Sequence, residues 1–353
     1  MLTAASIDIK KVSASRLSQV DFSNLSFGKV YSDHMFIAEY KNNKWNSTRI
    51  VPYDKIQFTP AMSALHYGQA IFEGFKAYRS NKEDVRIFRP LDNHRRMNRS
   101  AVRMAMPEIP EEIFMEGLTR LIDLDRDWIP SAAGTSLYIR PVMFGTEEHV
   151  GVKPSETYTL AIITGPVGKY YNVPLKVLVE TEYTRAGPGG VGYAKAAGNY
   201  GRSLLPAKLA QEKGYHQLIW TDAEHHRYIE ESGTMNVAFV IDNTLVTPPA
   251  GSTILEGITR DSILTIAKDL GIKSEVRKIA IDEVIDALSE NRLQEAFGAG
   301  TAATIAHIVT IGYNGKDYSL PAYTDNSLSG IISAELDKIW YGEEDKFGWM
   351  WKV

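Results

Sequence analysis

Of the ten residues from Gly192 to Gly201, three are glycine, three are alanine, and the one cation is Lys195. Side chains this small let a backbone pass close to a flat ligand. An amine buried in such surroundings loses hydration of its charge, so its neutral, nucleophilic form becomes accessible. A neutral lysine amine forms a Schiff base with a carbonyl group. A solvated loop lysine between glycines has the same local sequence, so the stretch acquires meaning only beside other segments.

Three such segments follow it. In the first, Gln217 to Thr221 and Val237 to Ile241 read as strands. The polar break Asp222 to His226 returns Arg227 to Glu231 as a partner strand, so Glu230 and Glu231 stand at a strand end. A carboxylate there can hold a pyridine nitrogen protonated, and it can equally be a solvated acidic pair. The second is Gly257-Ile258-Thr259-Arg260, leading into the helical pattern Ile263, Leu264, Ile266, Ala267 and Leu270, which stops at Gly271. Backbone N–H groups, a hydroxyl and the positive helix end suit a phosphate there, although a plain threonine N-cap gives the same letters. The third is Phe297-Gly298-Ala299-Gly300-Thr301-Ala302-Ala303, a small-residue turn that admits a ligand or simply packs tightly. Lysine, carboxylate and anion site form the set that pyridoxal 5'-phosphate (PLP) requires.

The strings Lys195-Ala-Ala-Gly-Asn-Tyr200, Glu231-Ser-Gly-Thr-Met-Asn236, Gly257-Ile-Thr-Arg260 and Gly300-Thr301-Ala302 occur in one order along the chain. The N-terminal half adds Phe27-Gly28, Ala64-Leu-His-Tyr67-Gly68, Phe72-Glu73-Gly74, Arg96 to Arg103 and Leu137-Tyr138-Ile-Arg140-Pro141. From about Ser26 to Tyr341 the chain resembles the class IV aminotransferases of PLP fold type IV. More narrowly, it is similar to the branched-chain amino acid aminotransferases of the subgroup that includes the mammalian enzymes.

The resemblance implies roles residue by residue. Lys195 matches the lysine that bonds the cofactor aldehyde and moves the proton between substrate Cα and cofactor C4′. Glu231 matches the carboxylate beside the pyridine nitrogen, and Tyr200 the tyrosine at the ring oxygen. Arg96, Ile258, Thr259 and Thr301 match the phosphate cradle, with Arg185 another arginine near the phosphate. Thr234 and Ala302 match positions that receive the substrate α-carboxylate. Phe27, Tyr67, Tyr138 and Tyr170 match walls of the side-chain pocket, and Arg140 its charged member. Val152 matches a residue that reaches into the partner's site, so a homodimer is implied. Ala303 and Ala306 stand where the mammalian relatives carry a Cys-x-x-Cys pair.

The chemistry fits that set. An aliphatic side chain gains about 1.5–3 kcal/mol on full burial in an apolar pocket. Glutamate needs a partner for its second carboxylate, which Arg140 with the Tyr67 and Tyr138 hydroxyls can supply. The expected reaction is ping-pong transfer of the amino group between leucine, isoleucine or valine and 2-oxoglutarate, giving branched 2-oxo acids and L-glutamate. Two rivals share the fold, a D-amino acid aminotransferase and an aminodeoxychorismate lyase. The Tyr138-Ile139-Arg140 and Gly300-Thr301-Ala302 strings argue against both. A PLP carrier without turnover is the rival from another class.

Composition agrees with this picture. A chain of 353 residues with 44% hydrophobic content holds two domains. The net charge of −4, with no lysine or arginine run, disfavours nucleic acid. No apolar stretch approaches 18 residues, so no membrane span is expected and a cytoplasmic enzyme is favoured. Cysteine is absent, which excludes disulfides and thiolate metal sites. Met1 to Val20 reads as a presequence-like segment, a mobile extension or a first strand. The expected fold is α/β of the α+β type in two domains. A smaller N-terminal α/β domain (1–165) and a linker (166–174) precede a larger PLP-binding domain (175–353) with a barrel-like β core, the cofactor lying at the domain interface. Helices are expected near His66 to Phe72, Leu91 to Met104, Glu111 to Leu124, Leu204 to Lys213, Thr259 to Leu270, Ile281 to Leu288 and Ser327 to Tyr341.

Overall fold

The computed structural model describes residues 7–168, 170–171 and 173–353. Met1–Ser6, and Lys169 and Asn172 of the expected linker, lie outside the described residues. The chain divides into two compact units. The first holds residues up to Tyr170 together with Ala194–Gly198 and Lys338–Val353, and the second holds Tyr171–Tyr193 and Asn199–Asp337. The expected boundaries at 165 and 175 do not include the two returns to the first unit, which make that unit the longer one. Pairing and stacking between distant stretches of chain make both returns. Ala196 bridges to Ile71, Met350–Lys352 pairs antiparallel with Val85–Phe88, and Trp340 stacks on Tyr78 at 5.1 Å. A parallel or antiparallel partner in one sheet can come from any distance along the chain, so a cut in sequence order misses it.

The first unit is built on one nine-stranded sheet. Along the sheet run Asp8–Ile9, Lys44–Pro52, His34–Lys41, Tyr158–Val167, Ser136–Gly145, Phe75–Arg79, Val85–Phe88 and Met350–Lys352, with Ala70–Phe72 paired to Ser136–Gly145 off this path. Alternation in Ser136–Gly145 puts Leu137, Ile139 and Met143 in the core and turns Tyr138 and Arg140 to the other face. Helices Pro90–Arg103 and Glu111–Leu124 cover the core face. Phe114, Leu118, Leu121 and Ile122 recur at three- and four-residue spacing and pack on His34–Lys41. Gly117 lies so close to the Phe36 ring that a Cβ there would stand 2.5 Å from it. The expected helix from His66 to Phe72 is corrected. A helix covers Ser63–Tyr67, Gly68 turns with φ of 64°, and Ala70–Phe72 is a strand. Glycine in the left-handed region ends a helix, and the apolar Ile71 then enters the sheet core.

The second unit's sheet runs Ile229–Ser232, Gln217–Thr221, Leu175–Val179, Thr304–Tyr313, Leu293–Gly300, Asn236–Ile241, Thr244–Thr247 and Ser274–Val276, with Lys316–Ser319 beside Thr304–Tyr313. Its first strand also joins its sixth directly. Ser232 and Met235 exchange backbone hydrogen bonds of 2.8 and 2.9 Å across a two-residue turn. Six strands thereby curl back on themselves into a barrel-like core filled by Val177, Ile219, Val237, Phe239, Ile308 and Ile311. Gly233 makes the turn possible with φ of 57°. Its carbonyl accepts from Trp220 Nε1 at 2.9 Å, and its N–H donates to Leu218 at 2.7 Å. Helices Ile258–Asp269 and Ile281–Ser289 pack on Leu293–Gly300. Helix Leu204–Glu212 accommodates Pro206 in its first turn, where a proline's missing N–H costs no hydrogen bond.

Trp220 is 1% exposed, and its indole N–H is one of the donors that hold the closing turn. Replacing it with phenylalanine leaves the Gly233 carbonyl unpaired and shrinks the core. Trp220→Phe should lower unfolding free energy by about 1–3 kcal/mol in urea titration.

Candidate active site

In the first unit the segment Phe72-Glu73-Gly74 touches four of the expected site residues. The Phe72 N–H donates to the Lys195 carbonyl at 3.1 Å, and the Phe72 ring lies 5.0 Å from Lys195 Nζ and 4.7 Å from Arg140 Cζ. Two cations on one ring gain from its π face. The Glu73 carboxylate receives Arg96 Nε and Nη2, each at 2.7 Å, with Glu73 fully buried and Arg96 nearly so. This paired geometry fixes the plane of the guanidinium as well as its position. Gly74 makes room for Tyr138, whose hydroxyl would collide with any Cβ there.

Lys195 is held at its backbone. Its N–H donates to Ser100 Oγ at 2.9 Å, and Ser100 Oγ in turn donates to the Arg96 carbonyl at 3.0 Å. Ser100 stands one turn after Arg96 on helix Pro90–Arg103, so a single buried helix face carries the arginine and locates the lysine. Ala194 and Ala196, each 1% exposed, pack on either side. Of the six small residues around the lysine, these two are therefore core residues as well as spacers.

Arg140 Nη2 donates to the Tyr138 hydroxyl at 2.9 Å, and Arg140 Nε is buried with no hydrogen-bond partner. Phe27 meets Tyr138 edge-on at 4.8 Å and Tyr170 at 4.9 Å. Phe27, Tyr138, Tyr170 and Arg140 thus form one aromatic wall with a cation on it. Tyr67 stands apart at the end of its short helix, exposed, with its ring 6.0 Å from His66. Val152 is 91% exposed on the Glu148 to Lys153 loop.

The second unit gathers a separate cluster. Glu231 is 2% exposed and Arg185 6%, and Arg185 Nε lies 2.9 Å from Glu231 Oε2. Glu231 Oε1 accepts the Leu255 N–H at 2.7 Å. Arg185 Nη1 donates to the Thr253 carbonyl at 2.6 Å and to the Gly192 carbonyl at 3.3 Å. Gly192 lies against Thr253 at a distance no side chain would allow. Arg185 therefore contacts the carboxylate, which the resemblance to a phosphate-neighbouring arginine does not imply.

Helix Ile258–Asp269 opens on Gly257 with no side-chain cap. Asn236 supports the approach by donating to the Leu255 carbonyl at 2.8 Å, and its amide oxygen fills the space beside Gly257. Thr259 is buried in the first turn. Arg260 points away from that helix end, bonding the Thr247 hydroxyl at 3.2 Å and the Pro248 carbonyl at 2.8 Å. Thr301 and Ala302 form the turn between Leu293–Gly300 and Thr304–Tyr313, and Thr234 is exposed at the tip of the closing turn. Tyr200 lies half-buried in the short helix Ala197–Gly201, where its carbonyl accepts from Ser203 Oγ at 2.7 Å.

The sequence offered a signal for Glu73. It is the one carboxylate in the mostly apolar stretch from Ile71 to Ala77, and an ionised carboxylate buried there is costly without a cation beside it. Thr253 and Ser100 left no such signal, because a hydroxyl in a loop or helix is ordinary. Removing one partner of the buried Glu73–Arg96 pair strands the other charge. Arg96→Leu should cost about 3–5 kcal/mol, and adding Glu73→Leu should recover part of it. Unfolding of the two single variants and the double variant measures that coupling.

Comparison with known proteins gives one consistent neighbourhood. The model of the family amino-transferase class IV matches residues 70–311. The branched-chain-amino-acid aminotransferase 2 of Bacillus subtilis (strain 168) is 44% identical over 352 residues, covering 97% of this chain and 96% of the relative. Among solved structures, the branched-chain aminotransferase of Thermoproteus uzoniensis with norvaline superposes with a TM-score of 0.74 at 28% identity, over 90% of this chain and 99% of that one. The branched-chain amino acid aminotransferase of Escherichia coli does so with a TM-score of 0.72 at 28% identity, over 90% and 98%.

Proposed function

The chain belongs to amino-transferase class IV, and from that membership we propose that it is a branched-chain amino acid transaminase working with PLP. It exchanges the amino group of leucine, isoleucine or valine with 2-oxoglutarate. The observation that carries the proposal is the aromatic wall with Arg140 on it, in the same unit as a lysine fixed at both backbone groups. The wall suits an aliphatic side chain. Arg140, whose buried Nε lacks a partner, suits the distal carboxylate of glutamate or 2-oxoglutarate.

The donor set fits PLP. A buried anion at Glu231 suits a protonated ring nitrogen, and a glycine-capped helix end with buried Thr259 suits a phosphate. When bound, the cofactor supplies an electron-withdrawing ring that carries the amino group between the two substrates. The roles then divide among this chain's residues. Lys195 takes the proton from the substrate Cα and delivers it to the cofactor's C4′, so its amine must swing while its backbone stays still. Glu231 keeps the ring nitrogen protonated, and Arg185 keeps Glu231 an anion. Tyr200 bonds the ring oxygen. Arg96, Ile258 through its N–H, Thr259 and Thr301 hold the phosphate. Thr234 and Ala302 receive the α-carboxylate, and Phe27, Tyr138 and Tyr170 exclude water from the side chain.

The exposed Val152 supports a homodimer in which a second copy covers it, and sedimentation of the purified protein tests this. Among the described residues no helix is long and apolar enough to cross a membrane. A cytoplasmic enzyme is the reading this favours, and cell fractionation checks it.

Absorption spectra during titration with L-leucine and then 2-oxoglutarate test the reaction. The cofactor band should collapse with the first and return with the second; a response to D-alanine alone would overturn the proposal. Lys195→Ala should bind PLP and lose nearly all turnover, and Glu231→Gln should keep PLP but slow Cα proton removal severely. Arg140→Met should raise KM for 2-oxoglutarate about 10- to 100-fold, the worth of a charge-assisted bond, with a smaller change for leucine.

A further inference from the structure

The second unit buries two adjacent carboxylates beside one arginine, and the geometry treats them differently. Glu231 has the ion pair with Arg185 Nε at 2.9 Å and the Leu255 N–H at 2.7 Å. Glu230, 7% exposed, has one bond, from the Thr253 hydroxyl to Oε1 at 2.5 Å, and its buried Oε2 has no hydrogen-bond partner. Successive residues of a strand face opposite sides, so Glu230 reaches Arg185 through Thr253. The Thr253 hydroxyl donates to Glu230, and the Thr253 carbonyl accepts from Arg185 Nη1 at 2.6 Å. Glu230, Thr253, Arg185 and Glu231 close a ring whose last link is the peptide between the two glutamates. Two residues beyond Thr253, the Leu255 N–H bonds Glu231, so the two carboxylates together clamp the loop that leads into helix Ile258–Asp269.

We propose that Glu230 is a positioning residue for Glu231: through Thr253 it fixes the arginine that faces Glu231, and of the two carboxyls it is the one that takes up a proton first. An ionised carboxylate with one hydrogen bond and no direct cation is costly in the interior, and the neutral acid is not. The neutral acid also leaves the charge of Arg185 to Glu231. The groups that face Glu230 act in the same sense on balance. Burial pushes its carboxyl up, the Thr253 hydroxyl and Arg185 pull it down, and the charges of Glu231 and Asp222 push it up again, with a net rise. A carboxyl raised in the folded state favours folding at low pH and loses that contribution as the pH rises through its folded value. Glu230→Gln, which mimics the neutral acid, should therefore gain stability over the native protein as pH rises.

The inference rests on the proposed role of Glu231, and its test separates the two. In protein labelled with ¹³C at glutamate carboxyls, Glu230→Gln and Glu231→Gln assign the two resonances. The Glu230 carboxyl should titrate at the higher pH. Thr253→Val removes the hydroxyl while keeping the carbonyl. It should move the Glu231 titration to higher pH and weaken PLP binding about tenfold, the upper worth of one intramolecular hydrogen bond, and Thr253→Ser should restore both. If Glu231 protonates first, or if Thr253→Val binds PLP as tightly as the native protein with an unmoved Glu231 titration, the proposal is overturned. Native turnover in Glu231→Gln would instead overturn the role of Glu231 and leave the order of titration standing.

Discussion

Burying a guanidinium away from any anion is costly, and in each unit of this chain a buried arginine is paired with a buried glutamate. Separating two unit charges inside a protein costs far more than separating them in water. The pairs Glu73–Arg96 and Glu231–Arg185 therefore constrain everything that touches them. In the first unit the pair links the strand entering the sheet at Ile71 to the buried face of helix Pro90–Arg103, which locates Lys195 through Ser100. In the second the pair links the strand end at Glu231 to the loop from Thr253 to Leu255 and to the helix that follows. Neither pair is strong evidence of stability, because burying the charges offsets much of their attraction. Their effect is to fix direction, which is what a residue facing a ligand needs.

The sheets supply the rigidity behind those pairs. Tyr138 and Arg140 share a face of Ser136–Gly145 because strand side chains alternate, while Leu137 and Ile139 lock the same strand into the core. The closing turn at Gly233-Thr234 brings Glu231 and Asn236 near each other along the chain, and both then bond the loop around Leu255. Of the proposed site residues, Lys195 lies in a loop and Glu231 near a strand end, while Arg96, Tyr138 and Arg140 project from inside a helix and a strand. A packed scaffold fixes the backbone of each, so the side chains it carries are held in direction.

Much of the secondary structure was legible in the chain. The helix Glu111–Leu124 and the strands Gln217–Thr221 and Asn236–Ile241 form where the residue pattern puts them. The helix expected from His66 to Phe72 did not form past Tyr67, because Gly68 adopts a left-handed turn and Ile71 is required in the sheet. The boundaries between units were less legible, since Ala194–Gly198 and Met350–Lys352 join the first unit by strand pairing over long sequence distances. Among site residues, Phe27, Tyr138, Tyr170 and Arg140 stand together, while Tyr67 and Val152 remain at the surface.

By itself the sequence determined which residue types were available for chemistry and in what order. The lysine among small residues, the glutamate before the Ser232-Gly233 turn and the glycine-led helix are local patterns, and local patterns survive in one dimension. Tertiary structure alone decided which acid meets which base. Glu73 takes Arg96 across 23 positions, Glu231 takes Arg185 across 46, and Glu230 is left with a hydroxyl although it is the neighbour of Glu231. The physical reason is that a charge's partner is set by distance and dielectric, and both are properties of the packed interior that adjacency along the chain does not specify.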